Sequence, residues 1–250
     1  MIYAVCNVRG VDSTVTVLII IGVLVLFAFG AYYTHQQAKK RIAALQSLAD
    51  RLGLQFSPGA NSHHDERFAQ FAIFRVGTNR TAYNTLSGTK TIGGQEQSVV
   101  MGDFRYTVES GSGKNRRRVT RRFSYVLVGV PHEDVPDLLV RREHFFDKVT
   151  DFFGFDDIDF ESVEFSRRFH VSSSNKRFAW DLIDPRMMEF LIGQEAPVID
   201  MEDGWICVAD KKKWPAERFQ EQLGFVAHFL DHWPDHVVRG LTEGQYKEQY

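Results

Sequence analysis

The sequence predicts an α+β protein: one N-terminal transmembrane helix continuing into an amphipathic stalk, then a soluble domain with a mostly antiparallel sheet and packed helices. Three observations predict it. Residues 15–33 (VTVLIIIGVLVLFAFGAYY) carry no charge. Residues 71–131 shift to a period of two punctuated by glycine turns. The rest of the chain mixes short helical periods with strands joined by hairpins instead of βαβ crossovers.

The nineteen uncharged residues come first. At about 1.5 Å of rise per residue they reach about 28 Å, close to the ~30 Å hydrocarbon core of a bilayer. Lipid supplies no hydrogen-bond partners, so such a segment closes its own backbone bonds as a helix. Lys39, Lys40 and Arg41 follow it, whereas the N-terminal side offers only Arg9 and the α-amino group, offset by Asp12. The positive-inside rule then places the N-terminus outside and the bulk of the chain in the cytoplasm, single-pass in the inner membrane. A cleaved signal peptide competes, with Ala28-Phe29-Gly30 as a small-x-small cut, but the apolar run is long for one and the basic cluster beyond it opposes export. Gly22 and Gly30, eight apart, only loosely match a small-residue packing face.

Residues 34–52 keep a helical period, with Ile42, Leu45, Leu48, Ala49 and Leu52 on one face, and Gly53 follows as a C-cap. The organisation reads as a tail at 1–14, the membrane helix at 15–33, a stalk at 34–56, an α+β domain at 57–238 and a flexible tail at 239–250. A seam inside the domain, if present, falls at 131–136. Within it, residues 57–66 read as a loop and 71–76 as a short apolar run at the start of the two-residue period. Segments 80–92 and 95–108 flank Gly93-Gly94 as a hairpin. Segment 123–130 is apolar on both faces, which marks a central strand. Between these last two strands lies a basic hairpin tip at 109–122. Residues 138–141 suggest a short strand and 142–153 a helix. Val163, Phe165, Phe169 and Val171 alternate as a strand does. Ser174 or Asn175 caps a short helix, and Asp184-Pro185 is an N-cap and N1 pair for the next. A second hairpin turns at Glu202-Asp203-Gly204. Pro215 opens a final amphipathic helix that Trp233-Pro234 ends, and the chain beyond Arg239 reads as frayed.

Composition excludes some classes. Lys plus Arg total 30 against 32 Asp plus Glu, a formal charge of -2, so no bulk nucleic-acid binding is expected. Cys6 and Cys207 flank the membrane segment and cannot pair across it; Cys207, among Trp205, Ile206 and Val208, reads as a buried apolar residue. With 21 Phe in the chain, the soluble residues suffice for a sizeable core.

The most interpretable local feature is the basic tip. Lys114, Arg116, Arg117, Arg118, Arg121 and Arg122 lie within nine residues. Near an anionic leaflet each is worth about 1 kcal/mol. The bland reading is a solvated hairpin whose arginines pair with the acidic segment 156–164. His63, His64, Asp156, Asp157 and Asp159 are of metal-ligand type, yet no H-E-x-x-H or C-x-x-C pattern accompanies them. No catalytic residue and no cofactor is assigned.

Beyond this, Asn79-Arg80-x-Ala82-x-Asn84-x-Leu86-x-Gly88, Asp103-Phe104-x-Tyr106, and Phe155-Asp156-Asp157-Ile158-Asp159-Phe160-Glu161 running into Phe165-Ser166-Arg167-Arg168-Phe169 resemble a group of uncharacterised bacterial single-pass membrane proteins with a domain of unknown function. The resemblance covers roughly residues 34–235. It implies a shared fold and brings no activity or ligand with it.

The expected function is a membrane-anchored cytoplasmic interaction or scaffold domain without catalysis of its own, with the lipid bilayer and other membrane or cytoplasmic proteins as partners and the oligomeric state open. Two alternatives differ in class. One is a membrane-bound metal-assisted hydrolase using His63, His64 and the acids of 156–164, which requires those groups to converge. The other is a structural subunit of a larger membrane protein complex.

Overall fold

The computed structural model describes residues 13–111, 116–132, 134–142, 158–194 and 196–247, with side chains from residue 16 onward. The chain divides into two compact units, Met1–Ala44 and Leu45–Tyr250.

Helix α1 (Ser13–Leu52) is continuous through the apolar segment. It is the one helix among the described residues long and apolar enough to cross a membrane, and large side chains such as Leu26, Phe27 and Phe29 are exposed along it. Its last turns belong to the second unit, where Leu45, Leu48 and Ala49 are wholly buried. Ile42, expected on the same face, stays exposed. Gly53 ends the helix at φ +66, the left-handed conformation that glycine adopts without a steric penalty.

The second unit is α+β. Eight strands form one sheet in the order β1-β2-β3-β4-β8-β7-β5-β6, and every pairing is antiparallel. The strands are β1 (Gln55–Ser57), β2 (Thr78–Ile92), β3 (Gln95–Ser110), β4 (Arg117–Gly129), β5 (Leu138–Arg142), β6 (Phe169–Ser173), β7 (Val198–Glu202) and β8 (Trp205–Ala209). Gly93 and Gly94 turn the β2–β3 hairpin with positive φ at both positions, as a two-residue turn between twisted strands demands. β4 is paired on both sides, in keeping with its two apolar faces.

Alternation along the strands sends successive side chains to opposite faces. Val126 and Val128 of β4 enter a large core with Val99, Met101, Ile199, Ile206, Val208 and the apolar faces of several helices. These include α5 (Lys176–Leu182), α6 (Pro185–Gly193), α7 (Ala216–Asp231) and α8 (Asp235–Thr242). Phe123, Tyr125 and Leu127 enter a smaller aromatic core on the other face, closed by Phe68, Phe71 and Phe74. Those three phenylalanines come from the segment carrying α2 (His64–Arg67) and α3 (Ala72–Arg75).

Several sequence expectations need correction. The run 71–76 is not a strand but contains the single helical turn α3, because its phenylalanines cap the aromatic core instead of extending the sheet. Val163 and Phe165 lie in a short helix, α4 (Val163–Arg168), whose N-cap Ser162 accepts from Phe165 N; only Phe169 onward is strand. The chain past Arg239 is helical to Thr242 and bends back so that Tyr246 packs on Phe178 and its hydroxyl donates to Asp181. Of the segment 142–153, all beyond Arg142 lies outside the described residues. Asn175 and Asp184 cap α5 and α6 as expected.

Two bulges shape β2. Between Tyr83 and Leu86 it advances three residues while β3 advances two, from Asp103 to Met101. The extra residue changes which face the following side chains take: Ala82 lies in the aromatic core and Leu86 in the larger one. Asn84 sits there at φ 52, and Asn79 at φ 53 serves the second bulge, between Thr78 and Thr81. Opposite the first bulge stands Gly102, where a Cβ would meet Asn84 O and Thr85 Cα at 3.1 Å.

Candidate functional site

The basic tip is a ribbon. β3 and β4 pair out to Ser110↔Arg117, whereas β2 last meets β3 at Thr78↔Thr107, so the end of the hairpin extends past its neighbour. Arg116, Arg117, Arg118, Arg121 and Arg122 are all exposed; Lys114 lies outside the described residues. Arg116 Nη1 sits 3.6 Å from Glu109 Oε2, both groups well exposed, a pair of little net worth. Among the described residues no carboxylate comes within ion-pair distance of Arg117, Arg118, Arg121 or Arg122. The acids described in the supposed partner segment do not reach the ribbon either: Glu164 pairs with Arg168 of its own helix.

At the base of the ribbon the sheet order adds cations that the sequence reading missed. β8 lies beside β4 with Ala209 opposite Tyr125, and the chain beyond it stays alongside, since Ser124 N donates to Lys212 O. Lys211, Lys212 and Lys213 are thereby set beside Ser124, two residues along β4 from Arg122, and all three are exposed. Across the hairpin, Arg122 is the direct partner of Arg105. Like charges placed opposite on one face are destabilising.

Beneath these cations lies a buried carboxylate. Asp103 is wholly buried; it accepts from Asn84 Nδ2 at 2.9 Å and from Ser124 Oγ at 2.7 Å. The Ser124 hydroxyl in turn accepts from Trp214 N at 3.0 Å. Lys213 Nζ stands 3.5 Å from Asp103 Oδ2 and 5.6 Å from the centre of the Tyr83 ring. Arg105 Cζ is 5.7 Å from the same ring. Both distances suit attraction of a cation to an aromatic face, so Asp103 and Tyr83 together fix two cationic groups.

The histidine cluster behaves differently. His63 is exposed and its Nδ1 lies 3.1 Å from Glu66 Oε2. His64 is buried among Phe68, Phe74, Phe104 and Tyr125, with ring centroids 4.8–5.9 Å away. Its Nδ1 is 3.5 Å from the Tyr125 hydroxyl and its Nε2 has no partner. Loss of hydration, then the nearby Arg67, holds its pKa at about 4, against the opposing pull of Asp65. Asp65 meets Arg80 Nε at 2.7 Å, and Arg80 Nη1 also donates to Arg75 O, which pins the start of β2. Asp156 and Asp157 lie outside the described residues, and Asp159 is exposed. The two adjacent histidines therefore part, one to solvent and one to the aromatic core. Among the described residues no group of three or more His, Cys, Asp and Glu side chains could hold a metal ion.

A second buried acid sits on the aromatic side of the sheet. Asp200 pairs across the ladder with Cys207; burial, with Glu202 and Asp137 nearby, raises its pKa well above the carboxylate range. Burial and the charge of Asp200 likewise raise the Cys207 thiol, a free cysteine at 2% exposure, which is the condition of an inert buried thiol.

No family model matches the chain, and no curated protein matches it. Among solved structures it is similar to the crystal structure of the mycobacterial trehalose monomycolate transport factor A, TtfA, with a TM-score of 0.52 and 16% identity over 76% of this chain and 93% of that one. At that identity the likeness is one of fold.

Proposed function

We propose that this chain is a membrane-anchored, cytoplasm-facing accessory domain that works by contact and not by catalysis, its β3–β4 ribbon meeting the anionic headgroups of the bilayer that holds it. The observation that carries this reading is the row of exposed arginines on the ribbon, of which Arg117, Arg118, Arg121 and Arg122 meet no carboxylate among the described residues and Arg116 makes one exposed pair with Glu109, in a chain that also bears an apolar helix of membrane-spanning length. A tether keeps the domain near the leaflet, so weak attraction of about 1 kcal/mol per cation becomes effective through high local concentration. The flank charges support an inner-membrane, N-terminus-outside orientation. Family membership in the group of bacterial single-pass proteins that the sequence resembles belongs to the same proposal. The fold neighbour's description as a transport factor agrees with an accessory role beside other proteins.

The test uses the full chain in proteoliposomes, with a fluorophore at Thr120→Cys on the ribbon and headgroup spin-labelled lipid as quencher. Quenching is expected with 30 mol% phosphatidylglycerol, weakened by salt and by replacing Arg116, Arg117, Arg118, Arg121 and Arg122 with Gln. Equal quenching in pure phosphatidylcholine, or no effect of the substitutions, overturns the lipid contact. A C-terminal reporter found outside the cell overturns the orientation.

A further inference from the structure

We infer that Arg105 and Lys213, both drawn to the Tyr83 ring, together with Arg122, the cross-strand partner of Arg105, form a defined subsite at the base of the ribbon for the phosphate of an anionic lipid headgroup. The inference rests on the ribbon being an anion-facing surface and goes further, from diffuse attraction to a particular place.

The three cations come from three strands or their extensions, and the sheet assembles them. Arg105 and Arg122 are direct cross-strand partners on β3 and β4, and their side chains share the face that carries Asp103 and Ser124 two residues further along. Lys213 arrives from the extension of β8, held by the backbone bond between Ser124 and Lys212 and by the Trp214 N donation to Ser124 Oγ. Tyr83, the register partner of Asp103, lies on the same face and draws both Arg105 and Lys213 to its ring.

Two guanidinium-bearing side chains with Cβ atoms about 5 Å apart repel each other, and among the described residues no carboxylate lies within ion-pair distance of either. Asp103 does not relieve them. It is fully buried, accepts from Asn84 and Ser124 and is ion-paired with Lys213, so its role is to position Lys213. An external anion beside the arginines offsets that repulsion. Guanidinium groups present paired N–H donors that match the oxygens of phosphate, and Lys213 supplies a third charge from the side. The aromatic ring holds the arrangement in place before the ligand arrives, which lowers the ordering cost of binding.

The experiment embeds the full chain in phosphatidylcholine nanodiscs and measures co-flotation with separate vesicles of phosphatidylcholine containing either 20 mol% phosphatidic acid or enough oleate to give equal surface charge. Wild type is expected to bind phosphatidic acid vesicles more tightly than oleate vesicles. Inorganic phosphate at tens of millimolar is expected to compete better than chloride at equal ionic strength. Arg105→Gln with Arg122→Gln is expected to cost about fivefold per charge and to abolish the preference for phosphate. Arg116→Gln with Arg117→Gln and Arg118→Gln is expected to weaken binding to both vesicle types while keeping the preference. Tryptophan fluorescence and thermal unfolding check that each variant is folded; the substituted arginines are exposed.

Equal binding to the two vesicle types, or a preference that survives Arg105→Gln with Arg122→Gln, overturns the subsite and leaves the general surface reading standing. Absence of vesicle binding by wild type overturns both. Tighter binding to single-stranded RNA than to phosphatidic acid vesicles under the same conditions also overturns the lipid assignment.

Discussion

Acid should loosen the aromatic core through one side chain, His64. In the folded protein its pKa is held at about 4, while in an unfolded chain the ring titrates at 6.5. The unfolded state therefore binds a proton first as the pH falls. The stability associated with neutral His64 is intact above 6.5 and is lost progressively as pH falls toward 4. At about 1.4 kcal/mol per tenfold change in proton affinity, that interval amounts to about 3 kcal/mol. Against a total of about 5–15 kcal/mol for ordinary domains, the loss is large. Glu202 acts with the opposite sign, because burial, with Asp137 and Asp203 adding to it, raises its pKa from 4.5 to about 7. Its contribution is complete below 4.5 and lost as pH rises through 7, so it masks part of the histidine effect in the wild type alone. The comparison with His64→Phe removes this ambiguity. Phenylalanine fits a cage made of Phe68, Phe74, Phe104 and Tyr125 and leaves no orphaned Nε2, so near pH 7 the variant is expected to match or exceed wild-type stability. Urea unfolding of the full chain in mild detergent, followed by tryptophan fluorescence, reads the domain, since Trp205 packs on Phe68 with centroids 5.2 Å apart. The difference between variant and wild type should widen by about 3 kcal/mol between pH 7 and pH 4. Parallel pH profiles for the two proteins would show that His64 is not buried neutral in this cage.

Four other outcomes follow from the packing. Gly102→Ala should destabilise by about 1–3 kcal/mol, read as a lower midpoint in thermal unfolding, because its Cβ meets backbone atoms of the β2 bulge at 3.1 Å. Leu48→Ala removes a side chain with no exposure and should cost about 2–5 kcal/mol in urea unfolding. Asp184→Ala deletes the acceptor for Met187 N at 2.8 Å and should cost about 1 kcal/mol by the same measurement. Cys207 should resist a maleimide in the native protein and react once urea unfolds the domain, as its 2% exposure dictates; fast native labelling would contradict the strand pairing around it.

Local signals carried much of the fold. The uncharged run at 15–33, the Gly93-Gly94 turn, the Asp184-Pro185 start and the Glu202-Asp203-Gly204 turn each act within a few residues, and α1, β2–β3, α6 and β7–β8 appear where they indicate. The errors arose where tertiary packing overrides a local period. Phe71 and Phe74 look like strand residues until they are seen closing the aromatic core from a helical turn. His63 and His64 both read as loop residues, yet His64 opens α2 and turns into the aromatic core while His63 stays exposed. The candidate surface was half legible. The arginines of the hairpin stand out as a run, whereas Arg105 joins them through the β3–β4 register and Lys211–Lys213 through the β4–β8 neighbourhood, which no local pattern encodes. The motif residues Asn79, Asn84, Gly88 and Asp103 have structural reasons: two hold the bulges at positive φ, Gly88 clears Leu54, and Asp103 anchors Lys213.

The pairing of β4 with β8 also bears on biosynthesis. Tyr125 meets Ala209 and Gly129 meets Trp205, so the second edge of FSYVLVG stays open until roughly 80 further residues have left the ribosome, several seconds at about 5–20 residues per second. An apolar strand with a bare edge is a template for aggregation. The nascent chain carries that open edge throughout the wait, and a chain truncated before Trp205 would never cover it.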